Sequence, residues 1–510
     1  MATRSIRKVL IANRGEIAVR VIRTCREMGI GTVAVFSDAD RAALHVRMAD
    51  EAYPIGPAPS RESYLRTDKI LDVYRRSGAD AIHPGYGFLS ENAAFVRACN
   101  EAGALFIGPP AEAMDAMGEK TAARRRMTEA GVPVVPGAKS PIADANEALS
   151  LARDVGFPVM IKAAAGGGGK GMHRVDKEEH FIAAFATAQR EATSAFGDGR
   201  VYVEKFLSKP RHIEIQIFAD EHGNCIHLNE RECSVQRRNQ KVIEETPSAI
   251  VDEAMRERMG QMAVKAALAV NYVGAGTIEC LVDADRNFYF LEMNTRLQVE
   301  HPITELITGL DLVRMQILVA QGHPLPLKQE QVERRGHAVE ARVYAEDPAQ
   351  NFMPAPGRIE SFRQPGGPGL RNDAGVYEGF TVPLFYDPMI SKLAAWHETR
   401  EGAIDRLKRA LGEYKVGGIT TNIAYLKRIL DLADFRAGDY DTSLLSRHHD
   451  ALTAPAPDGL GDIALMAAAI QQHRRDEARA GSATPTQSTK EPESQWKILG
   501  RAGALRRGEV

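Results

Sequence analysis

The sequence is poor in the features that mark secreted, membrane-bound and nucleic-acid-binding proteins. Only five cysteines occur in 510 residues: Cys25, Cys99, Cys225, Cys233 and Cys280. They are scattered, odd in number and without a C-x-x-C pair. That argues against a disulfide framework or structural zinc site and for a reducing compartment. An excess of one charge is also missing. The 65 Lys and Arg residues nearly cancel the 67 Asp and Glu, a net of −2. A generally basic nucleic-acid binder and an acidic disordered tail protein are excluded; local basic pockets are not. The longest apolar runs, such as Ile463–Ile470, fall far short of the roughly 18 residues of a membrane span. Residues Met1–Lys8 run at once into an apolar strand, Val9–Ala12, leaving no room for a targeting peptide. The expected location is the cytoplasm, with no membrane or nucleic-acid partner.

What is present reads as ordinary globular protein, 44% hydrophobic and 26% charged. At roughly 100–200 residues per domain the length suits about three domains. The first segment alternates strands (Val9–Ala12, Thr32–Phe36, Ala81–His83, Leu105–Ile107) with helices, beginning at Ile17–Met28. This rhythm predicts a small parallel sheet covered on both faces. The middle of the chain reads as α+β, with strands Val159–Lys162, Met172–Val175, Val201–Phe206 and His212–Phe218. A helix over Ala254–Ala269 precedes a hairpin of Thr277–Val282 with Phe288–Met293. A third region has strands His337–Tyr344 and Met389–Trp396 and helices Arg400–Leu411 and Thr421–Leu430. Finally, a helix over Ile463–Ala480 leads into Ser482–Ser494, a Ser/Thr/Pro-rich linker by composition.

Two motifs carry chemistry. Ala163–Gly171 reads AAAGGGGKG. It is not a Walker A loop, because Gly171 follows Lys170 where Ser or Thr is needed. Nor is it a Rossmann fingerprint, because it joins two strands and not a strand to a helix. Bare backbone N–H groups in such a run can approach phosphate oxygens, with Lys162 and Lys170 adding positive charge. The plain alternative is a flexible hairpin tip. The second motif is the hairpin Thr277–Asn294. A four-residue loop, Ala284–Asn287, puts Asp283 opposite Phe288, Leu281 opposite Phe290, Glu279 opposite Glu292 and Thr277 opposite Asn294. Like charges directly opposed repel unless a cation lies between them, and oxygen ligands suit Mg²⁺. The plain alternative is solvated glutamates. Glu292, Asn294, Arg296, Gln298 and Glu300 then fall at every second position, which in an extended segment places all five on one side.

These stretches carry a family resemblance. FPVMIKAAAGGGGKGM (157–172), CSVQRRNQKVIEE (233–245) and FLEMNTRLQVEHPITE (290–305) resemble the ATP-grasp core of biotin carboxylases. IANRGEIAVRVIR (11–23) and HPGYGFLSEN (83–92) resemble the N-terminal domain of that family, and EARVYAEDP (340–348) and YDPMISKL (386–393) its C-terminal domain. The similarity covers about residues 5–447 and is greater to the carboxylase part of acyl-CoA carboxylases. It implies a mixed α/β and α+β fold: a Rossmann-like N-terminal domain over 1–115, an ATP-grasp domain over 116–335 with a lid at about 135–205, and a C-terminal domain over 336–448. Residues 449–510 would form a helix, a linker and a partner-docking tail that includes Trp496.

The resemblance also implies an activity, the ATP- and bicarbonate-dependent carboxylation of biotin through carboxyphosphate. Nucleotide contacts would fall to Lys120, Lys162, Gly167, Gly168, Gly169, Met172, Glu204, Lys205, Leu207, His212, Gln236 and Asn239. Bicarbonate would be held by Lys241, Arg296, Gln298, Val299 and Glu300, with Glu300 as general base, and biotin by Tyr86 and Arg342. Arg296, Glu300, Lys241 and Arg342 are the implied catalytic set. Mg²⁺ (or Mn²⁺) would bind Glu279, Glu292 and Asn294. Asn239 stands where several family members have His, so a nucleotide contact survives there but a titrating role does not. No Met-Lys-Met occurs. Biotin is therefore expected on a separate carrier protein, with the carboxyltransferase also separate and the chain itself a homo-oligomer. The competing readings are a carbamoyl-phosphate synthetase-like ligase and an inactive ATP-binding scaffold.

Overall fold

The computed structural model describes residues 3–481 except 119, 139, 164–171, 197 and 455–459; the side chains of residues 120, 121, 195, 196, 460–464, 475 and 478–481 also stand outside the description. Three expectations therefore fall outside the described residues: the glycine run with Gly167, Gly168 and Gly169, the Lys120 side chain, and everything from Ser482 through Trp496 to the end. The chain divides into two compact units, Met1–Thr453 and Ala454–Val510. In the second, the described element is a helix, Leu460–Gly481.

The first unit begins with the expected parallel sheet. β1 (Lys8–Ile11), β2 (Gly31–Ser37), β3 (Glu51–Gly56), β4 (Ala81–His83) and β5 (Leu105–Phe106) lie in the order β3-β2-β1-β4-β5. Val9 and Ile11 pack into one core with α1 (Gly15–Glu27), while Leu10 and Ala12 pack into another. Apolar side chains on both faces of β1 are what a strand covered on both sides requires.

A small antiparallel sheet follows, β7-β6-β8, from β6 (Val159–Ala163), β7 (Met172–Val175) and β8 (Val201–Lys205). Helices α2 (Ala145–Val155) and α3 (Phe181–Phe196) cover it, with Phe181 and Phe185 buried against Val159, Ile161, Val201 and Val203. The undescribed glycine run thus connects two strands paired from Val159↔Val175 to Lys162↔Met172.

Eight longer strands form one antiparallel sheet, and short strands between Glu346 and Gly417 pair into three two-stranded sheets beside it. In chain order the eight are β9 (Arg211–Ala219), β10 (Cys225–Arg237), β11 (Gln240–Thr246), β12 (Gly274–Val282), β13 (Phe288–Asn294), β14 (His337–Tyr344), β15 (Leu370–Ala374) and β16 (Met389–His397). Their spatial order is β13-β12-β9-β10-β11-β14-β16-β15. The strands of the third sequence region therefore extend the central sheet through the β11–β14 pair, Glu244↔Glu340 among others. The alternation in β9 explains the sheet's two sides. Ile213, Ile215 and Ile217 enter a core with Met255, Met259 and Ala263 of α4 (Glu253–Leu268), and His212, Glu214 and Gln216 face the other way. Alternation of this kind normally marks a half-solvated strand. Here all nine residues of β9 are buried. The polar face is roofed by α5 (His301–Thr308), whose Thr304 bonds Arg231 from above the sheet.

The β12–β13 register shows an instructive compensation. Glu279 does oppose Glu292 and Thr277 does oppose Asn294. The route differs from the four-residue loop expected. The loop is Asp283–Asn287, so Val282 pairs with Phe288 and Cys280 with Phe290, each one residue off the expectation. A β-bulge between Glu279 and Cys280 adds Leu291 to β13 and restores the pairing beyond it. β13 then ends at Asn294, so Arg296, Gln298 and Glu300 are not on an extended strand, and Glu300 instead caps α5.

Gly375 sets how closely the sheet approaches α1. A Cβ there would lie 2.6 Å from the Glu16 backbone nitrogen and 2.9 Å from the Gly15 carbonyl carbon. Backbone cannot yield as a side chain can, so Gly375→Ala should destabilise the first unit by about 1–3 kcal/mol. Gly412→Ala in α6 (Arg400–Glu413), where the nearest atom is Lys427 Nζ at 4.0 Å, should change it by less than about 0.5 kcal/mol. Thermal melts of the two variants beside wild type check the contrast.

Candidate active site

Three glutamates stand in one row across the polar face. Register pairs Glu292 with Glu279, Glu279 with Glu214 and Glu214 with Arg231. Repulsion along such a row has to be offset by cations, and the structure supplies them. Lys241, reaching in from β11, puts its Nζ 2.6 Å from Glu214, 2.9 Å from Glu279 and 2.5 Å from Glu300. An ammonium has three donors, and each has one carboxylate. Arg231, fully buried, donates to Glu214 at 2.5 Å, Gln216 at 2.7 Å, Thr304 at 2.8 Å and Thr277 at 3.2 Å. Arg342 on β14 bridges Glu244 (2.6 Å) and Glu300 (2.9 Å). His212 Nε2 lies 3.0 Å from Glu279 Oε2, an ion-pair contact.

These contacts set the charge states. Burial pushes Glu300 toward its neutral form, but Lys241, Arg342 and Arg231 outweigh it and hold the carboxyl well below the usual range. Glu279 is likewise held well below it, with Lys241 and His212 overcoming burial. Burial works against the ammonium of Lys241, but its three glutamates keep it charged far above the ordinary lysine value. Glu244 goes the other way: burial drives it to about 7 despite Arg342. Glu300 is thus a carboxylate with two cationic partners, in a site where water is excluded and each charge counts for more than at the surface.

Residues 294–300 converge on the same place by side-chain bonds. Asn294 Nδ2 donates to Glu279 Oε1 at 2.8 Å and Gln298 Nε2 to the same oxygen at 3.2 Å. Arg296 donates to Gln298 Oε1 at 2.8 Å, to Asn294 Oδ1 at 3.0 Å and to Glu91 at 2.8 Å. Glu91 belongs to the 83–92 motif, so the N-terminal segment reaches this loop directly. For a metal, Glu279, opposed by Glu292 and bonded to Asn294, offers hard oxygen donors of the kind Mg²⁺ takes. Glu279 is buried and ionised, with Lys241 and His212 as its present counter-charges. Two other groups of possible ligand atoms lie within 4.8 Å of one another, His212–Glu214–Glu279 and Glu214–Cys233–Glu300. Lys241 already neutralises both.

The expected nucleotide residues are only partly gathered. Glu204 on β8 pairs with Lys162 (2.5 Å) and with Arg124. Lys205 Nζ turns to the Gly156 carbonyl at 2.8 Å. Leu207 follows β8, Met172 is exposed at the start of β7, and Gln236 sits opposite Lys241 in the β10–β11 ladder. Asn239 and Arg238 form the two-residue turn of that hairpin, with φ of 65° and 50°. A turn with both central φ positive selects Asn, so backbone geometry alone accounts for Asn at this position.

On the far side of Arg342 lies Lys392 of β16, its cross-strand partner. The Lys392 Nζ donates to the Val299 carbonyl at 2.7 Å and stands 5.6 Å from the centroid of the Tyr86 ring. Tyr86 and Arg342 are therefore neighbours of one lysine. Sequence reasoning missed Glu214, Arg231, Glu244, Lys392, His301 and Glu91. The available signal was a polar residue alternating with isoleucines for Glu214 and a charged residue in a largely apolar strand for Lys392. Nothing local marks Glu91, whose partner is about two hundred residues away.

Comparison with known proteins accords with this geometry. Residues 5–114 match the family model described as biotin carboxylase, N-terminal domain; residues 119–328 match carbamoyl-phosphate synthase L chain, ATP binding domain; residues 340–447 match biotin carboxylase C-terminal domain. The chain is 55% identical over 451 residues to the biotin carboxylase of Halalkalibacterium halodurans, covering 88% of this chain and 100% of that protein. It is 50% identical over 497 residues to the mitochondrial methylcrotonoyl-CoA carboxylase subunit alpha of Dictyostelium discoideum, covering 97% of this chain and 70% of that one. A solved biotin carboxylase domain dimer of the 2-oxoglutarate carboxylase of Hydrogenobacter thermophilus, in complex with MgADP, ADP and bicarbonate, aligns with a TM-score of 0.81. Its identity is 45%, over 89% of this chain and 100% of that one.

The charge network makes a pH prediction. Glu279 and Glu300 have folded pKa values below their unfolded ones, so their contribution is present above about pH 4.5 and is lost as pH falls. Lys241→Met shifts the balance toward burial, with Arg231, Arg342 and His212 as the cations that remain. The three carboxyls then hold protons more tightly in the folded state than in wild type, so the destabilisation grows as pH rises. The loss, about 3–5 kcal/mol at pH 8, should be clearly smaller at pH 5.5, as read by calorimetry at both pH values.

Proposed function

The chain belongs to the biotin carboxylase family, and from that premise we propose how its residues divide the work of carboxylating biotin with ATP and bicarbonate. The reading treats residues 1–115, 116–335 and 336–448 as three functional parts, here joined through one sheet and the Glu91–Arg296 pair. The observation that carries it is Lys241, shared among three buried carboxylates, one of which, Glu300, also holds Arg342. The flanking carboxylase-type segments distinguish this reading from a carbamoyl-phosphate synthetase-like ligase, and the Lys241–Glu300–Arg342 network from a scaffold.

Bicarbonate is a weak nucleophile that must lose its proton to attack the γ-phosphoryl group of ATP. We assign its binding to Arg296, Lys241, Gln298 and the backbone of Val299. An anion on Lys241 draws that ammonium away from Glu300 and adds a like charge beside it. Both effects raise the basicity of a carboxylate that is otherwise held far down, so Glu300 becomes a general base when substrate arrives. Attack gives carboxyphosphate and ADP. Carboxyphosphate splits to CO₂ and phosphate, the phosphate takes the proton from biotin N1, and N1 bonds to CO₂. Arg342 stabilises the negative charge that develops on the ureido oxygen, with Tyr86 bounding the ring's position.

Phosphate contacts are assigned to Lys162 and Lys120 as point charges, with glycines 167–169 and Met172 as the further assigned nucleotide contacts. Lys162 has to leave Glu204 for this, and Glu204, Lys205 and Leu207 line the adenine side with His212, Gln236 and Asn239. Mg²⁺ or Mn²⁺ bound by Glu279, Glu292 and Asn294 would neutralise phosphate charge as the transferred group moves. Biotin arrives on a separate carrier protein, and a separate carboxyltransferase chooses the final acceptor. A dimer in the cytoplasm is the proposed working form. It is supported by the relative solved as a dimer, by five free thiols, and by the lack of any helix among the described residues long and apolar enough to cross a membrane.

The deciding assay is bicarbonate-dependent ADP formation with and without free biotin. Stimulation by biotin is expected. Carbamoyl phosphate formed with ammonia would instead identify the ligase, and no turnover the scaffold. Glu300→Gln should lower the bicarbonate-dependent rate by about 10²-fold or more; full activity in that variant would remove Glu300 from its role.

A further inference from the structure

Two consecutive carbonyl groups behind the bicarbonate residues are each held by one buried side chain. His301 Nδ1 lies 2.7 Å from the Gln298 oxygen, and Lys392 Nζ lies 2.7 Å from the Val299 oxygen. A trans peptide is planar, with its N–H antiparallel to its C=O. Fixing the Gln298 carbonyl therefore fixes the direction of the Val299 N–H. Fixing the Val299 carbonyl does the same for the Glu300 N–H. Both amides are aimed away from the side chains that hold their carbonyls.

Neither holding group is an ordinary surface residue. The Lys392 side chain is fully buried, 3.4 Å from Glu16 Oε2 at the start of α1, with Asp373 facing it in register from β15. Glu340, two residues before Arg342 on β14, has both carboxylate oxygens buried without a hydrogen-bond partner and feels the same lysine. A charge in such surroundings is costly unless its contacts are specific. Burial, reinforced by Lys392, holds the His301 ring neutral, so it donates from Nδ1 only. Its Nε2 is buried with no hydrogen-bond partner. The hydrogen bond to the Gln298 carbonyl is thus the ring's one short polar contact among the described residues, with Glu305 Oε2 4.0 Å from Nε2.

We infer that Lys392 and His301 are positioning residues that set the Val299 and Glu300 amides as a preformed pair of donors for the oxygens of bicarbonate. The inference rests on the proposed carboxylase reading and deepens it. Successive backbone N–H groups make an anion site, and donors fixed before substrate arrives need no reorganisation when it does. Lys392 also ties that loop to α1 through Glu16, so a purely structural anchor is the alternative to be separated.

The test measures bicarbonate-dependent ADP formation by the full-length chain, with KM for bicarbonate and for ATP determined separately. Lys392→Met and His301→Phe each remove one holding donor. Each should raise KM for bicarbonate by about tenfold or more while leaving KM for ATP within about twofold. Lys392→Arg, which keeps a cationic donor, should recover most of that loss. If Lys392→Met fails to fold, Lys392→Met/Glu16→Gln removes the stranded carboxylate and carries the same expectation. A lower maximal rate with an unchanged bicarbonate KM in these variants would mean an anchor only and would overturn the inference. Absence of bicarbonate-dependent turnover in wild type would overturn the proposed function, and this inference with it. An active wild type beside unshifted variants would overturn the inference alone.

Discussion

One ammonium group holds this site together. Lys241 meets Glu214, Glu279 and Glu300 at hydrogen-bond distance, and those carboxylates come from β9, β12 and the cap of α5. Without it, three buried negative charges would face one another in a medium that screens them poorly. With it, the cross-strand row of glutamates becomes tolerable, and α5 can settle on the polar side of the sheet. Arg231 and Arg342 extend the same balance to either side. The fold of the central sheet and the charge state of its site are therefore one problem, solved by the same contacts.

That arrangement also explains why β9 is buried on both faces. Its isoleucines fill a core against α4. Its His212, Glu214 and Gln216 fill a second interior made of hydrogen bonds and ion pairs. Such an interior adds little net stability and loses a great deal when one partner is removed. What it supplies is order: charges fixed in place before any substrate binds, which is where electrostatic catalysis draws its strength. The same logic runs through Lys392 and His301, whose contacts are with backbone carbonyls and which act on direction more than on charge.

Much of the chemistry was readable in the linear order of residues, though not always for the right reason. The opposition of Glu279 and Glu292 was correct although the loop was one residue longer than assumed, because a bulge at Leu291 cancelled the error. The alternation from Glu292 to Glu300 suggested a wall on an extended strand. The strand stops at Asn294, and the later side chains converge through Arg296 and Gln298 instead. Asn239, which looked like a departure at a nucleotide position, sits in a turn whose positive φ values favour it. The third region reads as a C-terminal domain in the sequence; that its strands continue the central sheet is not legible there, since hydrogen-bonding edges leave no local trace.

By itself, the sequence determined the elements, the family and most of the residues that carry charge into the site. These depend on short-range pattern and on side-chain type, both of which are written locally. Only the tertiary structure decided which charges meet. Glu214 reaches Lys241 across 27 residues, Glu91 reaches Arg296 across 205, and Glu16 reaches Lys392 from the other end of the first unit. It also decided that Glu300 is ionised while Glu244 sits near 7, because the balance between burial and neighbouring cations exists only once distant strands pack. A carboxylate in the sequence is a potential base; its partners in space set whether it acts as one.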